Sequence, residues 1–270
     1  MATMHRSLRP DTRSIEMRST KTRTTKDYLQ SMRLWTNFFA VSGAELDFIE
    51  KTLPSKGVDI LEVGCGNGRL SLKLADTARS VTGIDIDSRL IDFANKYSGA
   101  NQIANIKFQE MSTDHLDFED CTFDLVLMPW MLHQVQDRKR ALSEVRRILR
   151  PGGKLIVFAL FGDCDYDRIA RHFISSRDKE MDPVELYESP LASVFGQYTK
   201  ELIATESTDY SFIFPDCGVT AEAFEFAFSN WYERFLHEKE RSRLRHLIQN
   251  HRLGNHIELK TRGAIYTAEA

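Results

Sequence analysis

Residues 60–68 read ILEVGCGNG, and this stretch decides the fold. An apolar run, Val58–Val63, delivers Glu62 near its carboxyl end, and Gly64, Gly66 and Gly68 then turn into a helical pattern near 68–77. Glycines suit such a turn because the backbone must reverse tightly and admit a ligand closely, and a Cβ would block both. The helix that follows aims its amino terminus at the ligand, which favours negative groups there. The spacing is G-x-G-x-G with an acidic residue two positions ahead, whereas the dinucleotide fingerprint is G-x-G-x-x-G. It points to a nucleotide-like cofactor and argues against an NAD-binding oxidoreductase.

Further apolar runs follow at Ser80–Asp85, Asn105–Glu110, Phe123–Met128 and Lys154–Phe161, alternating with helical patterns near 88–97 and 138–149. Strands apolar throughout belong in a parallel sheet covered on both faces, with helices as right-handed crossovers. The expected architecture is an open, doubly wound α/β sheet. Asp85 closes the second strand, where a carboxylate can accept hydrogen bonds from both ribose hydroxyls; Asp87 or Ser88 is the better cap for the next helix. Ahead of the sheet, Tyr28, Met32, Trp35 and Phe39 recur at helical spacing within 25–41, and a second helix spans 43–53. After residue 161 the alternation breaks down. Residues 164–206 read as one or two helices, Asp209–Phe214 as a strand, and Thr220–Asn250 as one long helix capped by Thr220 with a Phe224, Phe228, Trp231, Phe235 stripe. Ile257–Lys260 and Ala264–Thr267 are the last strand candidates.

ILEVGCGNG, the strand end at Asp85, FEDCTFDLVLM (118–128) and EVRRILRPGGKL (144–155), in this order, resemble class I S-adenosylmethionine-dependent methyltransferases over about residues 57–161. LHQVQD (132–137) and RRILRPGG (146–153) are most similar to small-molecule and quinone-type members. The resemblance implies a mainly parallel seven-stranded sheet with an antiparallel last strand. The chain then divides into a basic flexible tail (1–24), an N-terminal helical lid (25–56), a cofactor-binding α/β core (57–162), a helical substrate-lid insertion with one strand (163–254), and C-terminal strands completing the sheet (255–270).

The same resemblance implies roles. Gly64, Cys65, Gly66 and Gly68 line the methionine and ribose part of S-adenosylmethionine, Glu62 orients that loop and the cofactor's amino group, Asp85 holds the ribose, and Ile86 packs on adenine. Ser112 stands where the family often has an aspartate for the adenine amino group, so its hydroxyl and the backbone of Met111 and Thr113 inherit that task. Met128 neighbours the sulfonium, and Tyr28 and Trp35 close over the site. His133 is the candidate base, because imidazole titrates near neutral pH. Trp130, Met131, Tyr166, Tyr198 and Trp231 are the candidate substrate-pocket residues. The implied reaction is methyl transfer to a small aromatic or apolar acceptor. The rival from another class is a catalytically silent partner protein that keeps the cofactor fold.

Composition narrows the field. The 270 residues are 42% hydrophobic and 28% charged, with 14 Gly and 4 Cys. The longest apolar run, LIVFALF at 155–161, is far short of the roughly 20 residues a bilayer span needs. The net charge of −3 conceals a split: residues 1–26 carry seven Lys/Arg against Asp11 and Glu16, a net of +5, which leaves −8 on the remainder. The basic start reads as a solvated leader, with an organellar transit peptide as the alternative. The acidic remainder offers no evident phosphate-binding face and argues against a nucleic-acid substrate. The fourth strand ends MPWM (128–131), which lacks the polar acceptor of base-amine methyltransferases. Cys65, Cys121, Cys164 and Cys217 are widely spaced, without metal-ligand patterns, and suit free thiols in a reducing cytoplasm. The implied partners are the methyl acceptor and, at most, a second copy of the chain.

Overall fold

The computed structural model describes residues 43–54, 56–162, 164–174, 182–203 and 210–270, without the side chains of Asn230 and Trp231. The helix expected over 25–41 lies outside them. Strands β1 (Asp59–Val63), β2 (Ser80–Asp85), β3 (Ile106–Glu110), β4 (Phe123–Pro129) and β5 (Leu149–Leu160) pair in parallel. Strand β6 (Thr199–Ile203) forms the outer edge. The next three strands, β7 (Phe212–Phe214), β8 (Arg252–Leu253) and β9 (His256–Leu259), make a separate small sheet. Strand β10 (Gly263–Glu269) inserts antiparallel between β5 and β6, giving the seven-stranded order β3-β2-β1-β4-β5-β10-β6.

Alternate residues of these strands face opposite sides, and both sides are covered. Leu61, Val63, Val126, Met128, Leu155 and Val157 pack with Ala141, Leu142, Val145 and Ile148 of helix α4 (Arg138–Ile148). On the other face Ile60, Leu125, Leu127, Ile156 and Phe158 meet Ile49 of α1 (Ala44–Thr52) and Leu70 and Leu74 of α2 (Arg69–Leu74). Helix α3 (Ser88–Ala100) crosses from β2 to β3. The strand order reverses between β1 and β4, so their carboxyl ends open a crevice, the usual ligand position in such sheets.

Helices α5 (Asp165–Ala170), α6 (Ser189–Phe195), α7 (Cys217–Trp231) and α8 (Glu238–Gln249) follow β5. Tyr166, Phe173, Phe224, Phe226 and Phe228 join β7, β9 and α8 in a second, aromatic core.

Four expectations need correction. The single helix over 220–250 is two: the chain leaves helical geometry at Tyr232 and Glu233, whose φ is 50°, and Phe235 of the apolar stripe is 59% exposed in the break. The cap of α7 is Asp216, whose Oδ1 accepts from the Val219 amide at 2.9 Å; the Thr220 hydroxyl donates back to the Asp216 carbonyl. Residues 199–203, read as helical, form β6. That edge strand buries only Ile203, so it carries no alternating pattern. Of the two C-terminal strands, only β10 completes the main sheet, because β9 pairs with β7 and β8. Among the described residues no helix is long and apolar enough to cross a membrane.

Candidate active site

The turn after β1 hangs on one carbonyl. The amides of Gly64 and Cys65 both donate to the Ile84 oxygen, at 2.8 and 2.9 Å, and Gly68 donates to Cys65 at 2.9 Å. Gly64 and Gly68 have φ of 72° and 81°, in the left-handed region that side chains disfavour. Space excludes a Cβ as well, which would lie 2.8 Å from Met131 Cγ at Gly64 and 2.6 Å from Phe108 Cζ at Gly68. The Glu62 Oε2 accepts from the Ser71 amide at 2.8 Å and from the Ser71 hydroxyl, so Glu62 holds the first turn of α2. Burial pushes its pKa up to about 7, against the lowering effect of Ser71 and Arg69.

At the end of β2, Asp85 Oδ2 accepts from the Gly66 amide and Oδ1 from the Asp87 amide, each at 2.9 Å. Burial raises its pKa, and these two amides oppose the rise. Asp87, not Asp85, caps α3, through the Arg89 amide at 3.0 Å. The Cys65 thiol is pushed up by burial, and the nearby Glu62 and Asp85 carboxylates add to this, which leaves it a neutral wall rather than a nucleophile. Ile86, 64% exposed, presents an apolar side chain beside the crevice. The Met111 amide donates to the Asp85 carbonyl at 3.0 Å, which brings 111–113 alongside; the exposed Ser112 hydroxyl accepts from Asp114 at 3.3 Å.

The end of β4 splits its side chains between the two faces. Trp130 adopts φ 58°, its amide donating to the Phe158 carbonyl at 2.8 Å. Its indole packs on Phe158 and Tyr210, with ring centroids 5.6 and 6.2 Å apart, and donates to Glu45 Oε1 at 2.7 Å. Met131 goes the other way, over Gly64. His133 follows in the short helical turn Leu132–Gln134, half-buried, its carbonyl accepting from Arg138 Nη2 at 3.0 Å. That turn rests on β5 and on the π-type turn Val184–Glu188.

The crevice thus gathers Glu62, Gly64–Gly68, Asp85, Ile86, Met111–Thr113 and Trp130–His133. Other expected members are elsewhere. Met128 is fully buried in the core, because β4 runs on through Pro129. Tyr166 stacks on Phe224 at 5.0 Å inside the aromatic core. Tyr198 packs edge-on against Tyr266 at 5.7 Å; it precedes Thr199, which pairs with Thr267 level with Ile156, short of the carboxyl end of β5. Tyr28, Trp35 and the Trp231 side chain lie outside the described residues. Sequence reasoning missed Glu45, Arg69 and Ser71. Arg69, directly after the last glycine of the turn, was the one available signal.

Residues 61–157 match a family described as a methyltransferase domain. A ubiquinone biosynthesis O-methyltransferase of Coxiella burnetii is 34% identical over 115 residues, 43% of this chain and 49% of that protein. The chain spans about half the length of such curated relatives. Among solved structures, phosphoethanolamine N-methyltransferase 2 of Haemonchus contortus in complex with S-adenosyl-L-methionine superposes with a TM-score of 0.61 at 14% identity, over 92% of this chain and 60% of that one. The [4+2]-cyclase SpnF superposes with a TM-score of 0.59 at 18% identity, over 91% of this chain and 94% of that one. Residues 61–157 form a methyltransferase domain of the class I, S-adenosylmethionine-dependent family.

Proposed function

We propose that the chain binds S-adenosylmethionine at the turn between β1 and α2 and directs its methyl group to a small, largely apolar or aromatic acceptor. One observation carries the reading. Within the methyltransferase domain, the Gly64–Gly68 turn, Asp85 and the Trp130–His133 turn meet where the carboxyl ends of β1, β2 and β4 open the sheet. The cofactor supplies an electrophilic methyl group on a sulfonium. The chain then has to align the acceptor, exclude water and take up any proton the acceptor releases.

Asp85 keeps lone pairs for the two ribose hydroxyls beyond those given to Gly66 and Asp87. Glu62 fixes the first turn of α2 and with it the glycine turn. Ile86 covers one adenine face, and the 111–113 segment borders its edge. Met131, seated on Gly64, forms the wall between cofactor and acceptor, and His133 on the next turn takes the proton. The aromatic unit after β5 serves as the lid on the acceptor side, and the ubiquinone-pathway relative supports an apolar acceptor.

The test is calorimetry and thermal shift with S-adenosylmethionine and S-adenosylhomocysteine, then a screen of phenols, quinols, amines and carbon acids for S-adenosylhomocysteine release. Absence of heat and shift with both cofactor forms ends this reading. The fold shared with a [4+2]-cyclase supports a second reading, a cofactor-binding protein with other chemistry. Tight binding with no release across the screen favours it.

A further inference from the structure

Glu45 is 4% exposed, and every charge-bearing atom it has is engaged. Oε2 faces Arg69 Nη1 at 2.5 Å, and Oε1 accepts from Arg69 Nη2 at 2.9 Å and from the Trp130 indole at 2.7 Å. The Arg69 side chain is itself 14% exposed. A carboxylate on α1 is therefore bonded at once to the first residue of α2, next to Gly68, and to the residue that follows β4.

A buried ion pair is a weak source of stability, since desolvation offsets most of its attraction; fixing one geometry among alternatives is the better-attested use. Here the geometry at stake is unusual. Trp130 sits at φ 58°, which a bulky side chain adopts only when its surroundings impose it. That reversal turns Met131 onto Gly64 and starts the turn bearing His133. On the other side, Arg69 starts the helix whose first turn Glu62 holds.

We propose that Glu45 is a positioning residue. Through Arg69 and Trp130 it sets the cofactor turn and the Met131–His133 turn against each other, and so couples α1 to the site's geometry. The effect on cofactor affinity rests on the S-adenosylmethionine reading above; the effect on local order does not.

The experiment compares wild type, Glu45→Gln, Trp130→Phe and the double variant. Its readouts are S-adenosylhomocysteine calorimetry and backbone hydrogen exchange of the ligand-free chain. Trp130→Phe keeps an aromatic ring on Phe158 and loses the indole donor with part of the packing area, so it remains informative if Glu45→Gln folds poorly. The expected result is an affinity loss of about tenfold for Glu45→Gln, with the two substitutions clearly non-additive, as for members of one network. Exchange should accelerate at 64–69 and 130–134 while β10 stays unchanged. Wild-type affinity in Glu45→Gln, strictly additive effects, or exchange that rises everywhere alike overturns the proposal. If wild type binds neither cofactor form, the functional reading fails instead. Local exchange then decides alone: confined acceleration supports Glu45 as positioner, and none or uniform acceleration overturns it.

Discussion

The Asp85 carboxylate stands 2.9 Å from the Gly66 amide, so a side chain joins the Ile84 carbonyl in tying the end of β2 to the turn after β1. The same side chain is the proposed ribose ligand. Asp85→Ala removes two charge-assisted hydrogen bonds to the cofactor and frees the Gly66 amide. The expected loss of affinity is about 1.5–3 kcal/mol, or roughly 10- to 150-fold. Asp85→Asn keeps one acceptor and should lose less. Calorimetry with S-adenosylhomocysteine checks both, and unchanged affinity in Asp85→Ala would remove the residue from the site.

Glu62 gives the ligand-free chain a pH-dependent stability. Its pKa in the fold, about 7, lies above the unperturbed 4.5, because burial favours the neutral acid. The native state therefore holds this proton where the unfolded chain releases it. Its contribution is complete below pH 4.5 and is lost as pH rises to 7, a change of roughly 3 kcal/mol. Gln at this position cannot titrate, yet its oxygen can still accept from Ser71. Urea midpoints of wild type and Glu62→Gln, measured without cofactor from pH 4.5 to 8, should diverge in favour of the variant as pH rises. Parallel curves would mean that Glu62 is ionised in the fold throughout.

The parts of the molecule legible in sequence are those whose signal is local. Strands β1, β2, β4 and β5 are runs buried on both faces, and Gly64–Gly68 and Asp85 are punctuation at strand ends. Strand β6 escaped because an edge strand exposing Thr199–Leu202 has no apolar face to display. The break between α7 and α8 escaped because Phe235 continues the helical spacing of Phe224 and Phe228 into a loop. Glu45 was invisible for a different reason. Its bond to Trp130 spans 85 positions, and on α1 an isolated glutamate reads as solvent-facing until the partners are placed. Tyr166 lies in the aromatic core and Tyr198 against Tyr266 of β10, because aromatic composition alone does not distinguish a ring that packs a core from one that lines a pocket.

Gly68→Ala should cost more stability than Gly64→Ala. Both introduce a Cβ at positive φ, a penalty of about 1–2 kcal/mol. At Gly64 the obstacle is a methionine side chain, which can change rotamer. At Gly68 it is the edge of the buried Phe108 ring at 2.6 Å, with the Ala94 methyl at 3.4 Å behind. The ring is confined on both sides, because a Cβ at Gly83 would meet it at 2.6 Å as well. Urea denaturation should place Gly68→Ala about 1–3 kcal/mol below Gly64→Ala, the usual cost of overpacking a closed site. Equal midpoints would show that Phe108 has room to move.

His133 separates two accounts of catalysis. If it takes the acceptor's proton, His133→Ala lowers turnover by about 10²- to 10⁴-fold, the usual worth of a positioned base. S-adenosylhomocysteine affinity should stay near wild type, because the cofactor's proposed ligands lie on the turns after β1 and β2. The pH profile adds the decisive sign. A base works only when unprotonated, so wild-type turnover should fall towards acid in a limb that His133→Ala lacks. A variant that is slow but keeps the acid limb would mean that the imidazole merely fills the turn beside Arg138, with another group titrating. Wild-type turnover in the variant would leave alignment by Met131 and the lid as the catalytic device, as methyl transfer to an acceptor already deprotonated or without a proton to lose requires no base.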